Sequence, residues 1–356
     1  MGLSHWTFAV ARDDLAKTTL VSGDLPSPAE GEVVLRVDRV GLTANNITYA
    51  VLGDAMRYWE FFPPGPRGLD PSWGLPPLWG FADVVASNIH GVIEGQRVYG
   101  YLPPAAFLVV RADRIDKTGF HDASAHRATL PSPYNSYRTT TGDPAYRHDR
   151  EDLLILLRPL FFTSFMLADY LIDNAFFGAS VLAVSSASSK TAFAAAMELH
   201  GRGPRLVGLT SPANVEFTRS LGCYDAVLPY SEVASLEAAP SLYLDFAGTP
   251  ALRAEVRDHL GSRLVRDVAV GLTNQTSNIA AADELFFAPN QMRKRRQDWG
   301  RDELDHRFAD AWHRFASFVA ARLEIQVGAG PDALRDAWLD VLAGRVPPSA
   351  GRIIQL

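Results

Sequence analysis

Residues 180–196 constrain the fold more than any other part of the chain. An apolar strand, Ser180 to Val184, runs into a turn of small residues, Ser185 to Ser189, and then into a helix rich in alanine. The N-terminus of a helix presents unpaired backbone N–H groups and the positive end of the helix dipole. A strand, a tight turn and a helix in this order are typical of a phosphate-binding βα unit. The turn contains no glycine, so a nucleotide-binding interpretation needs support from the rest of the sequence.

The sequence on either side of this unit alternates helices with buried strands. The predicted helices are 152–177, 189–200 and 213–221. The predicted strands are 180–184, 205–209, 225–228, 241–246 and 266–270. Strands and helices that alternate at this spacing form βαβ crossovers in a doubly wound parallel sheet, which binds ligands at the carboxyl ends of its strands.

The first 125 residues have a different pattern, and the 356 residues are expected to form two domains. Short apolar runs separated by turn residues predict an antiparallel β domain, with strands at 7–10, 31–40, 96–102 and 106–110. Loops rich in proline and aromatic residues are predicted at 61–79 and 128–150, and long loops in compact proteins are often functional. After residue 285 the pattern is helical, and residues 352–356 predict a terminal strand.

Composition excludes several classes of protein. The net charge of −6 gives no electrostatic footprint for nucleic acid, and acidic residues surround the basic cluster 293–296. A single cysteine, Cys223, excludes an intrachain disulfide framework and a cysteine-rich zinc site. We find no signal-peptide pattern in the sequence and no apolar run near the ~20 residues that span a bilayer. We therefore expect a cytoplasmic protein that binds neither nucleic acid nor membrane.

Several short motifs follow one another along the chain. They are Gly41–Asn46, Trp79–Ala82, Gly95–Val98, Leu209–Asn214, Leu221–Val227, Asp245–Gly248 and Gly351–Ile354. In this order they resemble the medium-chain dehydrogenase/reductase superfamily, and within it the zinc-free quinone-oxidoreductase and enoyl-reductase branch. The resemblance covers nearly the whole chain, and the order of the motifs carries it.

The resemblance implies an α/β fold with a GroES-like antiparallel β domain and a Rossmann doubly wound parallel sheet. The implied boundaries are 1–150 for the β domain with loop insertions and 151–290 for the nucleotide-binding domain. Residues 291–356 would supply C-terminal helices and a strand that complete the β domain. Since members of the family are commonly dimers or tetramers, the resemblance also implies a homodimer as one expected assembly.

The resemblance also provides a test for zinc. In metal-dependent members a cysteine follows the early glycine, and a Gly-His-Glu motif supplies further ligands. The matching positions here are Thr43 and Phe81-Ala82, which cannot replace thiolate or imidazole ligands. The resemblance therefore implies a zinc-independent protein without a metal site.

The resemblance implies a dinucleotide on the turn after Val184. The family's glycines at this turn let the backbone approach a pyrophosphate, and the aligned positions here carry the hydroxyls of Ser185, Ser188, Ser189 and Thr191. Residues 210–214, after the second strand, contain no acid that would hold the ribose of NAD, so NADP(H) is the expected cofactor. The expected cofactor-binding residues are Ser185, Ser188, Ser189, Lys190, Thr191, Thr210, Ser211, Asn214, Tyr230, Phe246 and Gly248.

Proton transfer in this branch comes from a tyrosine or from solvent, while the protein positions a hydride donor against its substrate. Tyr49 follows the early family turn, and Tyr134 and Tyr137 lie on a loop, so these three tyrosines are the expected catalytic residues. The expected substrate-binding residues are Asn46, Asn135 and Arg138. The alternative for this loop is that it is a surface loop whose tyrosines only bury apolar surface by packing.

The function implied by the resemblance is NADPH-dependent, zinc-independent reduction of a small carbonyl, enone or quinone-like substrate. A P-loop NTPase is not favoured, because Val184 and Ser189 stand where that loop needs glycines. No Gly-x-Ser-x-Gly elbow of a serine hydrolase is present. The remaining alternative is a catalytically inactive protein of the same fold that binds a ligand or serves as a scaffold, which the missing glycines would also fit.

Overall fold

The computed structural model describes residues 5–24, 26–246, 249–270, 282 and 284–356. In chain order the strands are β1 (Trp6–Ala11), β2 (Thr18–Ser22), β3 (Glu32–Leu42), β4 (Trp73–Gly74), β5 (Leu78–Ser87), β6 (Arg97–Leu102), β7 (Phe107–Asp116), β8 (Gly119–Asp122), β9 (Ser136–Thr139), β10 (Val181–Val184), β11 (Arg205–Thr210), β12 (Ala226–Pro229), β13 (Ser241–Asp245), β14 (Leu264–Val270), β15 (Glu284–Phe286), β16 (Glu324–Ala329) and β17 (Ala350–Gln355). The α-helices are α1 (Ala44–Val51), α2 (Glu151–Asp173), α3 (Lys190–Leu199), α4 (Val215–Ser220), α5 (Pro250–Leu260), α6 (Ala288–Trp299), α7 (Arg301–Ala320) and α8 (Gly330–Leu342).

The chain divides into two compact units. Unit 1 consists of Met1–Leu156 and Leu323–Leu356, and unit 2 consists of Leu157–Arg322. This division differs from the boundaries implied by the resemblance. Helices α6 and α7 belong to unit 2, whereas the resemblance grouped residues 291–356 with the β domain.

Unit 1 is an antiparallel β domain. Its main sheet has the strand order β16-β17-β3-β5-β6-β9-β8-β7, and β3 also pairs with β7, so the sheet from β3 to β7 closes on itself. The terminal strand β17 lies inside the sheet, antiparallel to β3 and parallel to β16. Alternate residues of β3, such as Val33, Leu35 and Val37, point into a core that they share with Trp338 of α8.

Unit 2 contains a six-stranded parallel sheet. Its strand order is β12-β11-β10-β13-β14-β15. Numbered in chain order from β10, this is 3-2-1-4-5-6, the order that defines the Rossmann fold. The order reverses between β10 and β13, and ligands of such sheets bind at the carboxyl ends of the strands beside this point.

The predicted fold class is confirmed, since an antiparallel β domain accompanies a doubly wound parallel sheet. The strands predicted for unit 2 between residues 180 and 270 are all present, each within two residues of the predicted ends. Buried apolar runs explain this agreement, because parallel strands buried on both faces are apolar along nearly their whole length.

Helix α2 is the longest apolar segment. The segment His148–Asp173 has 26 residues, and its most apolar 18-residue window has a mean hydropathy of 1.5; it is the one helix in the described ranges that could cross a membrane by length and composition. The expectation that no run approaches such a length was therefore wrong on these criteria. Inside the fold, 56% of that window is buried.

The basic cluster 293–296 lies on α6 and is largely ion-paired within unit 2. Arg295 contacts Asp169, Asp173 and Asp298 at 2.7–2.9 Å. Lys294 contacts the same Asp173 and Asp298 at 3.0 and 2.8 Å. These two basic side chains therefore join α6 to α2.

Candidate functional site

The turn that follows β10 takes an unusual backbone conformation at Ser186. Its φ of 48° lies in the left-handed region, which residues other than glycine rarely adopt. The next strand gives the turn room, because a Cβ on Gly208 would lie 2.8 Å from the Cβ of Ala187. The turn then ends at Ser189, whose Oγ accepts a hydrogen bond from the backbone N–H of Ala192 and caps α3.

Polar side chains from three neighbouring strand ends meet at this turn, and we call them the polar cluster: Ser186, Ser188, Thr210, Asn214 and Tyr230. The Oγ of Ser188 accepts hydrogen bonds from Thr210 Oγ1 at 3.3 Å and from Asn214 Nδ2 at 3.2 Å. The hydroxyls of Ser186 and Tyr230 are 3.5 Å apart. The structure thus brings together side chains that follow β10, β11 and β12, as expected where parallel strands end at one edge of a sheet.

Lys190 is the first residue of α3 and is half-buried. Burial lowers the pKa of its ammonium group to about 8. The side chain is therefore mostly protonated near pH 7. A positive charge and a helix N-terminus coincide here, and both favour an anion.

At the switch point between β10 and β13, Ser185 joins the two strand ends. It has no exposed surface; its Oγ donates to Asp245 Oδ1 at 2.6 Å and accepts from the backbone N–H of Phe246 at 2.9 Å. The carboxylate of Asp245 pairs in turn with Arg253 at 2.6 Å. Arg253 also faces Asp267, at 3.4 Å. We call Ser185, Asp245, Arg253 and Asp267 the buried ladder.

The other expected cofactor residues have simpler positions. Ser211 precedes the turn that leads into α4, and its carbonyl accepts a hydrogen bond from the Asn214 backbone N–H. The Thr191 carbonyl accepts from Ser164 Oγ at 2.7 Å. Gly248 lies outside the described residues. The placement of Ser185 and Phe246 does not favour direct contact with a cofactor, because both are buried and bonded to each other.

A second group of side chains lies in unit 1, and we call Tyr49, Tyr58, Trp79, Tyr101 and Tyr134 the tyrosine cluster. The Tyr49 ring centroid lies 4.7 Å from that of Tyr58, and the Tyr101 centroid lies 4.8 Å from that of Tyr134 and 5.0 Å from that of Trp79. The Nε1–H of Trp79 donates to the Tyr49 hydroxyl at 3.2 Å, and the hydroxyls of Tyr58 and Tyr134 are 3.5 Å apart. Two of the three expected catalytic tyrosines, Tyr49 and Tyr134, therefore lie together.

The tyrosines of this cluster are neutral phenols. Burial raises the pKa of Tyr49, Tyr58, Tyr101 and Tyr134 above the ordinary value for tyrosine. Hydrogen bonds from Trp79 and Tyr134 act in the opposite direction on the pKa of Tyr49, but the effect of burial is larger. Chemically, the cluster can donate hydrogen bonds to an oxygen, but it does not hold a phenolate near neutral pH.

Tyr137 does not join this cluster. It is fully buried, its hydroxyl donates to the backbone carbonyl of Tyr101 at 2.9 Å, and its ring stacks on Phe120. A Cβ on Gly100 would lie 2.5 Å from the Tyr137 ring, so this glycine provides the space for the ring. The geometry favours a packing role for Tyr137 over proton donation.

The expected substrate-binding residues are held by local contacts. The Asn46 side-chain oxygen accepts from the Thr43 backbone N–H at 2.8 Å, and its Nδ2 donates to the Pro77 carbonyl at 3.0 Å, which fixes the start of α1. Asn135 is buried, and its Oδ1 lies 3.4 Å from Arg127 Nη1. Arg138 pairs with Asp143 at 3.5 Å. These contacts position loops of unit 1 and favour a supporting role for all three residues.

The positions that align with zinc ligands are occupied by structural residues. Thr43 is the N-cap of α1, and Phe81 is fully buried. Over the part of the chain that the structure describes, no group of three or more His, Cys, Asp or Glu side chains could hold a metal ion. Zinc independence remains a prediction from the sequence.

The sequence indicates the aromatic loop around Trp79 as a candidate wall of an apolar pocket, whereas sequence reasoning missed Tyr58 and Tyr101 as members of the tyrosine cluster. A signal existed for Tyr101, because Tyr99 and Tyr101 lie two residues apart in β6 and so point to the same face of the strand. Both rings contact Trp79. Tyr58 gave no comparable signal, because it lies in a short 3₁₀ turn with no periodic pattern.

The two units define the fold class, an antiparallel GroES-like β domain with a Rossmann domain, which is the two-domain fold of the medium-chain dehydrogenases and reductases. A family model matches residues 40–347, and the chain belongs to this family, which is described as a protein of unknown function, DUF2855. A search of curated proteins found no match.

Solved structures of similar fold include reductases and a dehydrogenase. The structure of CurA from Vibrio vulnificus in complex with NADPH is 14% identical, with 98% of each chain covered and a TM-score of 0.63. A putative NADPH:quinone reductase from Mesorhizobium loti is 13% identical over 100% of this chain and 99% of its own, with a TM-score of 0.60. A thermostable alcohol dehydrogenase from Pyrobaculum aerophilum is 17% identical over 99% and 100%, with a TM-score of 0.57. At these identities the similarity establishes the fold.

Proposed function

We propose that the protein is an NADPH-dependent, zinc-independent reductase that transfers hydride to a small carbonyl, enone or quinone-like substrate. The observation that carries this proposal is the polar cluster beside the N-terminus of α3, at the carboxyl edge of a sheet with Rossmann strand order. The fold of CurA, whose structure contains NADPH, supports it.

The residues at this edge fit a dinucleotide phosphate. Lys190 and the first turn of α3 supply positive charge for a pyrophosphate, and the Ser188 hydroxyl stands where the family has glycine. Thr210, Asn214 and Tyr230 offer neutral donors for a 2′-phosphate, and no acidic residue follows β11 before residue 216. A ribose with free 2′- and 3′-hydroxyls would find no carboxylate there, which favours NADPH over NADH.

The cofactor, when bound, would supply the hydride. The contribution of this chain is then to bind, to orient and to donate protons. In unit 2, Lys190 and the polar cluster would hold the phosphates. In unit 1, the neutral phenols of Tyr49 and Tyr134 would donate hydrogen bonds to a carbonyl oxygen of a bound substrate.

Titration of the purified protein with NADPH and NADH tests the proposal. We expect saturable binding of NADPH, detected as an increase and blue shift of its fluorescence, and at least about tenfold weaker binding of NADH. The variant Lys190→Met should weaken NADPH binding, whereas Lys294→Met, which removes an ion-paired lysine of α6, should not. No binding at millimolar NADPH would refute the proposal.

A second candidate is a catalytically inactive protein of the same fold that binds a ligand or serves as a scaffold. The specific observation in its favour is the bond between Ser185 and the Phe246 backbone, which joins β10 and β13 at the switch point. An assay of NADPH oxidation with quinone and enone substrates separates the two candidates, because the inactive protein would show no hydride transfer even where a nucleotide binds.

A further inference from the structure

The hydroxyl of Tyr101 is the most informative atom of the tyrosine cluster. The side chain is fully buried, and its hydroxyl has no hydrogen-bond partner among the described residues. Leaving a buried hydroxyl without a partner is destabilising, and phenylalanine would fill the same space without that cost. A tyrosine here is therefore better explained by a hydrogen bond to something outside the chain.

The other tyrosines of the cluster pack around the Tyr101 ring. The ring centroids of Tyr49 and Tyr134 lie 5.5 and 4.8 Å from that of Tyr101, and the Tyr58 centroid lies 4.7 Å from that of Tyr49. Tyr49 accepts a hydrogen bond from Trp79, so its own O–H remains able to donate. Tyr58, Trp79 and Tyr134 are partly exposed, whereas Tyr49 and Tyr101 are buried. The cluster therefore extends from the surface of unit 1 inwards to the Tyr101 hydroxyl.

A buried ion pair, Arg127 with Asp122, lies beside the cluster. Arg127 faces it across the rings of Phe61 and Phe62, at 5.4 and 4.8 Å from their centroids. The charge of Arg127 is balanced by Asp122 at 2.9 Å, and both side chains are about 1% exposed. An anionic group placed among neutral phenols and aromatic rings would lose its hydration, and the positive charge of Arg127, which acts against the burial that raises the pKa of Tyr101, is already paired with Asp122.

We propose that the tyrosine cluster binds a neutral, planar conjugated carbonyl compound, whose carbonyl oxygen accepts a hydrogen bond from Tyr101. The aromatic rings would stack on the flat ligand, and substrates that carry a carboxylate, sulfonate or phosphate at the bound end would be rejected. This inference deepens the proposed reductase function, because it selects neutral substrates and makes Tyr101 a specificity-determining residue. Binding itself requires no cofactor, so it can be measured separately.

A pair of matched ligands tests the proposal: 1,4-naphthoquinone, which is neutral, and 1,4-naphthoquinone-2-sulfonate, which differs by one anionic group. Calorimetric titration of the full-length protein should show binding of the neutral quinone and at least about tenfold weaker binding of the sulfonate. The variant Tyr101→Phe should bind the neutral quinone about fivefold more weakly, as expected for the loss of one neutral hydrogen bond.

The control variant is Tyr146→Phe, which removes a phenol hydroxyl of unit 1 outside the cluster, where it donates to Glu151. It should bind the neutral quinone as tightly as the unchanged protein. Equal affinity of Tyr101→Phe and the unchanged protein for the neutral quinone, or equal affinity for the two quinones, would overturn the proposal.

Thermal unfolding distinguishes a ligand-binding role of Tyr101 from a purely structural one. If the role were purely structural, Tyr101→Phe would lower the Tm. Since the Tyr101 hydroxyl lacks a partner within the described chain, Tyr101→Phe should unfold at the same temperature as the unchanged protein or at a higher one. A lower Tm would mean that the hydroxyl is already satisfied in the free protein, and would contradict the proposal.

The NADPH titration keeps this inference distinct from the proposed function. If the neutral quinone binds with the stated selectivity but NADPH does not bind, the tyrosine site stands and the reductase function fails. If NADPH binds but the quinones bind without dependence on Tyr101, the reductase function stands and the substrate site lies elsewhere.

Discussion

At the scale of single residues, Lys190 connects stability with binding. Burial lowers its pKa from 10.5 to about 8, so between these pH values the unfolded chain binds more protons than the folded one. The cost of burying the charge is therefore complete below pH 8 and disappears as the pH rises towards 10.5. We expect Lys190→Met to be more stable than the unchanged protein at pH 7, by about 1–3 kcal/mol, and equally stable above pH 10.5. Urea unfolding at several pH values measures this difference.

The same substitution should have the opposite effect on NADPH. At pH 7 the charged Lys190 would contribute a charge-assisted hydrogen bond or ion pair to a phosphate, so Lys190→Met should weaken binding by about tenfold to a hundredfold. The affinity of the unchanged protein should fall as the pH rises through 8, while that of the variant should change less. A variant that is less stable at pH 7 and binds NADPH normally would show that Lys190 has only a structural role.

Ser186 offers a second test at this scale. Its φ of 48° costs about 1–2 kcal/mol for a residue with a Cβ, and glycine avoids that cost at the expense of ~0.5–1 kcal/mol of extra entropy in the unfolded chain. Ser186→Gly should therefore stabilise the protein by ~0.5–1 kcal/mol. The control Ser188→Gly, at a residue without positive φ, should destabilise it, because it removes the hydrogen bonds to Thr210 and Asn214. Urea midpoints of both variants, measured side by side, decide between gain and loss.

At the scale of elements, sequence patterns predicted the parallel sheet well and the contents of the site only in part. The strands of unit 2 were found because buried parallel strands are apolar along their whole length. β5 was missed, because Gly80 and Asp83 interrupt its apolar run, although β3 and β6 pair with both sides of it. β5 is a strand because it pairs with β3 and β6 in the fold, and such pairing cannot be read from the order of residues along the chain.

The buried ladder could not be predicted either. The sequence indicated Asp245 as a family landmark and Ser185 as a phosphate contact, but it gave no sign that Arg253 of α5 would reach the same place. In the structure Arg253 has 2% of its side chain exposed and contacts Asp245 and Asp267. Ser185 is thereby bonded to a buried carboxylate, which explains a serine at this position without any ligand.

The ladder leads to a prediction about β13, β14 and α5. Arg253→Met would leave two buried carboxylates without this partner, and breaking a buried ion pair from one side costs about 3–5 kcal/mol. The control is Arg257→Met, which removes a side chain that also pairs with Asp267 but is 36% exposed, and should cost about 1–2 kcal/mol. Chemical denaturation of the two variants measures the difference. Similar losses of stability in both variants would mean that the buried Arg253 contributes no more electrostatic stabilisation than the partly exposed Arg257.

At the scale of the whole molecule, the two units differ in how the chain builds them. Unit 2 is one continuous stretch of chain, whereas unit 1 is completed by residues that follow unit 2. β17 lies between β16 and β3, and Ile353 and Ile354 are buried there. Unit 1 therefore cannot complete its main sheet until the last residues are present.

Truncation after Ser349 tests this dependence, because it removes β17 and leaves β16 and β3 with unpaired backbone groups. We expect unit 1 of the truncated chain to lose its cooperative unfolding transition and to expose apolar surface that binds a hydrophobic dye. Unit 2 has its own core around Val181, Val207 and Tyr243, so its transition should remain. The control is Val327→Ala on β16, at a side chain 55% exposed, which should leave both transitions in place. A single transition that is lost entirely on truncation would instead mean that the two units fold as one cooperative body.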